Sequence, residues 1–163
     1  YMALGSAVGI IIGQMLGRGE SESEVRDTDR KLIATSVVSC LAFGGIMASI
    51  SGVFPMIYNT TDSVRSLATA LICIGACMMP FNAFTHASYF TIRSGGQTMI
   101  TFLFDSCYMW AVSVPIAFVL SRFTDLDIIP LYCICQCAEL IKCGVGAYLL
   151  KRGTWIKNLT VKK

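Results

Sequence analysis

The stretch LATALICIGACMMPFNAFTHASYFTI, from Leu67 to Ile92, contains no Asp, Glu, Lys or Arg, and its reading decides the fold. A long uncharged apolar run is the mark of a helix that crosses a bilayer, because in lipid every backbone N–H and C=O must find its partner within the segment. Four more such runs flank it: Tyr1 to Leu16, Leu32 to Tyr58, Met99 to Ser121 and Ile128 to Leu150. The first is about 24 Å long at ~1.5 Å per residue, short of a ~30 Å hydrocarbon core. Residues upstream of Tyr1 would complete it, so the chain is expected to begin mid-helix within a longer protein.

The composition agrees. Of 163 residues, 55% are hydrophobic and only 14% charged, with a mean hydropathy of +0.65. A soluble domain carries about 25% charged residues, enough to cover a water-facing surface. Here the charges are too few, and they collect in short stretches between the apolar runs. The predicted fold is all-α, a polytopic membrane bundle of about five transmembrane helices, with the lipid bilayer as its principal partner. The net charge of +3 is small, and no basic run is interleaved with aromatics, so nucleic acid is not an expected partner.

Prolines and glycines interrupt three of the five runs: Gly44, Gly45 and Pro55 in the second, Pro80 in the third, Pro115 in the fourth. Neighbouring helices in a membrane can satisfy the backbone groups such residues release. In transporters, broken helices of this kind sit where segments bend during the cycle.

The distribution of lysine and arginine predicts the orientation. Arg18, Arg26, Arg30 and Lys31 follow the first run, and Arg93 follows the third. Lys151, Arg152, Lys157, Lys162 and Lys163 follow the fifth. Arg65 and Arg122 alone occupy the other two loops. Alternate loops share a side, so ten cations face two, and the ten-cation side is expected to be cytoplasmic, the C-terminus with it. The stretch Arg18–Lys31, which mixes both signs, reads as a solvated surface helix preceding the second span.

Ionisable groups inside a span are costly and invite a functional reading. Asp105 lies a third of the way into the fourth run. Glu139 is at the middle of the fifth, with Lys142 three residues on and on the same face. Asp105 or Glu139 is a candidate for binding a proton or sodium ion; alternatively, Glu139 and Lys142 form a structural pair. Asn82, Thr85 and Gln14 are candidates for lining a cavity or bonding between helices. His86, the lone histidine, reads as a packing residue with a proton shuttle as the alternative. Trp110 is placed to stack on a flat organic cation, and Trp155 to anchor at an interface. The eight cysteines fall within the spans, with no CxxC and no neighbouring histidine, so neither metal nor disulfide chemistry is expected. No phosphate loop, nucleophile elbow or paired-carboxylate motif points to an enzyme or a bound cofactor.

Several strings in order carry a resemblance. They are Ile12–Gly17 before a charged stretch, then Arg93–Thr98, then Phe104-Asp105 with Trp110 and Val114-Pro115-Ile116. Glu139 with Lys142 and a tail Gly153–Lys157 complete the set. Together these resemble the multidrug and toxic compound extrusion (MATE) family, in its DinF-like bacterial branch, over essentially the whole chain. The resemblance implies helices eight to twelve of a C-terminal lobe, a missing N-terminal lobe of the same transporter as partner, and a location in the cell membrane. It also implies antiport, with sodium ions or protons entering as small organic compounds, often cationic, are expelled. Two positions depart from the pattern: Gln97 stands where an acidic residue is usual, and Asn82 where some members carry an ion-binding aspartate. A non-transporting membrane subunit or remnant, and a flippase for lipid-linked sugars, are the alternative readings.

Overall fold

The computed structural model describes residues 1–57, 59, 61–124, 126–153, 155 and 156. Among these the chain is all-helical. Five long helices follow one another: α1 (Met2–Arg18), α2 (Glu22–Ile50), α3 (Asp62–Ser94), α4 (Thr98–Phe123) and α5 (Ile128–Arg152), with a short 3-10 turn at Phe54–Ile57. The last four are each long and apolar enough to cross a membrane, whereas α1, at 17 residues, is shorter.

Four of the five expected spans keep their places to within a few residues, but α2 corrects the reading of the charged stretch. No separate surface helix precedes the second span; instead α2 starts ten residues before Leu32, at Glu22. Ser21 initiates it. Its hydroxyl accepts from the Glu24 backbone N–H at 3.4 Å, which satisfies one orphan donor of the first turn, and donates to Glu24 Oε2 at 2.7 Å. Glu22 and Glu24 also oppose the positive end of the helix dipole. From there one buried stripe, Val25, Asp29, Ile33, Ser36, Cys40 and Gly44, runs unbroken along the helix, so nothing divides a surface part from a spanning part. The helix ends at Ile50, and Pro55 falls in the 3-10 turn rather than inside the span. The last expected residue of that run, Tyr58, lies outside the described residues.

The hub is α3, against which α1, α2 and α5 all pack. Small residues make the approaches close. A Cβ on Gly5 or Gly9 of α1 would stand 3.2 Å from the backbone oxygen of His86 or Phe90, and one on Gly13 3.6 Å from Ser94 Cβ. Glycines four apart on one helix thus meet residues four apart on the other. This is the small-residue ridge that lets membrane helices touch backbone to backbone. On the α2 side, Gly44 faces the carbonyl oxygen of Ala76. Pro80, four residues later, has no N–H to offer that carbonyl, so the interruption in α3 and the gap in α2 meet at one point.

Leu16, Val25, Ile92 and Trp155 belong to one buried cluster, which fixes the ends of α1, α3 and α5 and the start of α2 at the same pole. Arg18, Arg26, Arg30, Lys31, Arg93, Lys151 and Arg152 therefore share one pole, and Arg65 in the first turn of α3 and Arg122 in the last turn of α4 lie at the other. Lys157, Lys162 and Lys163 lie outside the described residues. Left-handed glycines close two helices at this pole, Gly19 (φ 72°) after α1 and Gly153 (φ 69°) after α5.

Candidate functional site

The site forms where α4 leaves ordinary α-helical geometry. From Leu103 to Cys107 and from Met109 to Ser113 its turns are π-helical, bonding i to i+5. Such widened turns occur mostly at functional positions. Pro115, just beyond, removes an N–H from the ladder where the widened stretch ends. The wider turn brings Tyr108 and Ser113 onto the face that meets α5.

On α5, Glu139 and Lys142 are three residues apart and form a direct pair, Lys142 Nζ to Glu139 Oε2 at 2.9 Å. Asp105 joins from α4, with its Oδ1 at 3.7 Å from the same ammonium. The lysine is shared between two carboxylates on two helices. Its side chain is 10% exposed against 32% for Glu139 and 60% for Asp105, so the cation is the enclosed member and the carboxylates lead outward. The Tyr108 ring lies beneath the ammonium at 5.0 Å from its centroid, a cation–π contact. Tyr108 O–H donates to the Ala138 carbonyl at 2.5 Å, and Ser113 O–H donates to Glu139 Oε1 at 2.7 Å. Each Glu139 oxygen thus has its own partner, a geometry that fixes the carboxylate in place.

A cavity of about 250 Å³ opens beside the pair. Asn82, Thr85 and His86 of α3 line it, with Phe104 and Asp105 of α4 and Glu139 and Lys142 of α5; Arg93 stands at its margin. Thr85 Oγ1 and Cys143 Sγ lie 3.0 Å apart behind this wall, and the His86 ring stacks on Tyr1 with centroids 4.9 Å apart.

Of the candidates read from sequence, Asp105, Glu139, Lys142, Asn82 and Thr85 come together here, and His86 joins them. Gln14 and Trp110 do not. Gln14 is exposed on α1, outside the cavity wall. Trp110 is 75% exposed on the outer face of α4, turned away from the cavity lining. Ser113 and Arg93 were not singled out by the sequence. One serine among many hydroxyls carries no periodic signal, and Arg93 read as a loop charge at the head of the Arg93–Thr98 string, not as a cavity residue.

A second polar contact lies toward the cation-rich pole. Thr91 O–H donates to Asp29 Oδ1 at 2.6 Å, and Asp29 is 3% exposed. Asp29 belongs to the charged turns of α2 that precede the apolar span beginning at Leu32. The reading of this stretch as wholly solvated fails at this residue. Among the described residues, no group of three or more His, Cys, Asp or Glu side chains gathers where a metal could bind. Comparison with protein-family models, with curated proteins and with solved structures finds no match to this chain.

Proposed function

We propose that this chain is part of a secondary active antiporter of the MATE type, exchanging Na⁺ or H⁺ for small organic, often cationic, compounds across the cell membrane. In this reading its cation-rich pole and its C-terminus face the cytoplasm, and an N-terminal lobe of the same transporter completes the substrate pathway. The observation that carries the reading is the lysine held between two carboxylates of different helices, deep in apolar segments and beside a cavity. Intramembrane charges of this kind mark ion pathways and proton relays.

The geometry supplies a way to couple ion and movement. Lys142 pairs closely with Glu139 and more loosely with Asp105. A proton or sodium ion arriving at Glu139 competes with the ammonium for the carboxylate and drives Lys142 toward Asp105. Because α4 and α5 each contribute one carboxylate, that exchange alters the attraction between two helices. The π-helical turns and Pro115 make α4 the element that yields. The positive-pole count favours the stated orientation, since cytoplasmic loops carry the excess of Lys and Arg.

The test uses the protein purified from its complete reading frame and reconstituted into vesicles with a fluorescent organic cation. Dye movement that depends on an imposed sodium or proton gradient is expected, and Asp105→Asn should abolish it while leaving expression and helicity intact. Dye movement indifferent to both gradients sinks the antiporter reading. Translocation of a labelled lipid-linked sugar without a gradient would put the flippase in its place.

A further inference from the structure

A second cavity, larger than the one beside Lys142, lies elsewhere among the described residues. Toward the cation-rich pole α2 and α5 both lean on α3 and leave between them a groove of about 530 Å³. Its interior is apolar, with Ile33, Val37 and Val38 of α2 facing Ala147 and Leu150 of α5 across a floor that includes Phe84 of α3. Its mouth is basic: Arg26 and Arg30, one turn apart on α2, and Lys151 on α5. Both walls thus carry the same polarity, cations at the pole and aliphatic side chains toward the middle of the bilayer. The groove also opens sideways, since Val38 is 64% exposed.

The mouth is not neutralised from within. Arg18 pairs with Glu20 and Lys31 with Asp27, whereas no carboxylate forms a contact ion pair with Arg26, Arg30 or Lys151 among the described residues. Asp29, an acid lining the groove, is turned inward onto Thr91, whose hydroxyl donates to its Oδ1. The Arg26 guanidinium rests against Gly153, the left-handed residue that closes α5; a side chain there would occupy the same space. Trp155, 1% exposed and donating from Nε1 to the Leu150 carbonyl at 3.4 Å, closes the polar end of the groove.

We infer that this groove binds one anionic glycerophospholipid, its phosphodiester headgroup between Arg26, Arg30 and Lys151 and one acyl chain along Ile33, Val37 and Ala147. Charge complementarity at the mouth and the aliphatic interior select the same molecule: a free phosphate would leave the interior empty, and a neutral lipid would leave three cations unmatched. Basic pockets between helices on one side of a membrane hold anionic headgroups in this way. The inference rests on the chain's being a membrane protein and does not depend on transport.

The test follows Trp155 fluorescence in a Trp110→Phe background, since these are the two tryptophans of the chain. The protein is placed in phosphatidylcholine nanodiscs containing equal mole fractions of brominated phosphatidylglycerol or brominated phosphatidylcholine. Quenching by the anionic lipid should exceed that by the zwitterionic one. Each juxtamembrane cation contributes roughly a 5-fold preference, so Arg30→Gln with Lys151→Gln should cut the selectivity about 30-fold. Ala147→Phe, a change on an exposed wall position, should abolish the preference with all three cations in place. It also serves as the deciding variant if the double substitution loses helicity. Equal quenching by both lipids overturns the inference, as does full displacement of the brominated lipid by soluble glycerol phosphate, which would mark a site for free phosphate.

Discussion

Replacing Gly44 by alanine should loosen the bundle even though alanine is the better helix former. The perturbation is a single methyl group. A Cβ at Gly44 would lie 2.8 Å from the Ala76 carbonyl oxygen and 3.7 Å from Met79 Cβ. The first distance is several tenths of an ångström below ordinary contact, and its partner is backbone, which cannot swing away as a side-chain tip would. Overpacking of this kind costs about 1–3 kcal/mol, whereas the exchange of Gly for Ala within a helix returns about 0.5–1 kcal/mol. The expected balance is a net loss of about 1–2 kcal/mol. Gly45 provides the control on the same helix, because a Cβ there meets nothing within 4 Å. Gly45→Ala should be neutral or stabilising. The reason for the clash can be tested as well. Pro80 leaves the Ala76 carbonyl without its N–H four residues on, and Pro80→Ala restores that donor and draws the oxygen back into the helix. In a Pro80→Ala background the Gly44→Ala penalty should shrink, giving a coupling of about 0.5 kcal/mol or more in a double-mutant cycle. Reversible unfolding in mixed micelles, followed by far-ultraviolet circular dichroism, reads all four variants. If Gly44→Ala is tolerated as well as Gly45→Ala, the close approach of α2 to the freed carbonyl is wrong.

Lys142→Met should destabilise by about 3 kcal/mol, because it leaves Glu139 charged and without its partner, and Lys142→Met with Glu139→Leu should destabilise less than either single change. The remaining acid, Asp105, is 60% exposed and can stay solvated; a double variant as damaged as the singles in the same unfolding assay would mean that the pair is not an energetic unit. Gly9→Val should separate α1 from α3, since its Cβ would meet Phe90 Cβ at 3.0 Å and the Phe90 carbonyl at 3.2 Å. The check is loss of a disulfide engineered between the two helices at Gly13→Cys and Ser94→Cys, and undiminished crosslinking would count against the glycine ridge.

The spans were legible because the bilayer imposes one crude rule, about 20 apolar residues per crossing, which Leu67–Ile92 and Ile128–Leu150 satisfy without ambiguity. The pairing of Glu139 with Lys142 was legible for a similar reason, since a spacing of three on a helix sets two side chains on one face. What escaped was encoded in less insistent signals. Ser21 with Glu24 announces the start of α2, yet hydropathy alone begins the span at Leu32, where the charges stop. Gly5, Gly9 and Gly13 spell a packing ridge that an apolar count treats as three weakly hydrophobic positions. Asp29 is one of five acids within a dozen residues, and only the register of the buried stripe Val25, Asp29, Ile33 separates it from its solvated neighbours. Trp110 misled for the opposite reason. An aromatic inside a span suggests a stacking surface, but its direction depends on the turn geometry of α4, and the π-helical stretch is invisible to any pattern built on 3.6 residues per turn.

The two interruptions that the sequence did display, Pro80 and Pro115, turn out to differ in consequence, and the difference bears on which helix can move. At Pro80 the freed carbonyl is met by Gly44, and α2 closes over it; the defect is filled by a neighbour, and α3 remains the hub on which three helices pack. Pro115, by contrast, is exposed. The wall facing it from the preceding turns is made by hydroxyls and a carboxylate, Tyr108 and Ser113 bonding to Ala138 and Glu139, and none of Met109 to Phe123 is buried. Hydrogen bonds to a titratable partner can be exchanged one for another, whereas close backbone packing cannot. If the bundle has a moving part, it is therefore α4 and not α3, and the Ser113 bond to Glu139 is among those that must break for it to move, with the Tyr108 bond to the Ala138 carbonyl and the Asp105–Lys142 pair. The same carboxylate that would receive the coupling ion holds the yielding helix in place. Glu139→Gln, which keeps an acceptor for Ser113 but cannot titrate, should accordingly preserve the fold and fix α4 in one position. Hydrogen exchange at Leu103–Ser113, divided by the intrinsic amide rate at each pH, reads this directly: protection that varies with pH in the parent protein and not in the variant is the expected result, and identical pH dependence of protection in both would remove Glu139 from the coupling.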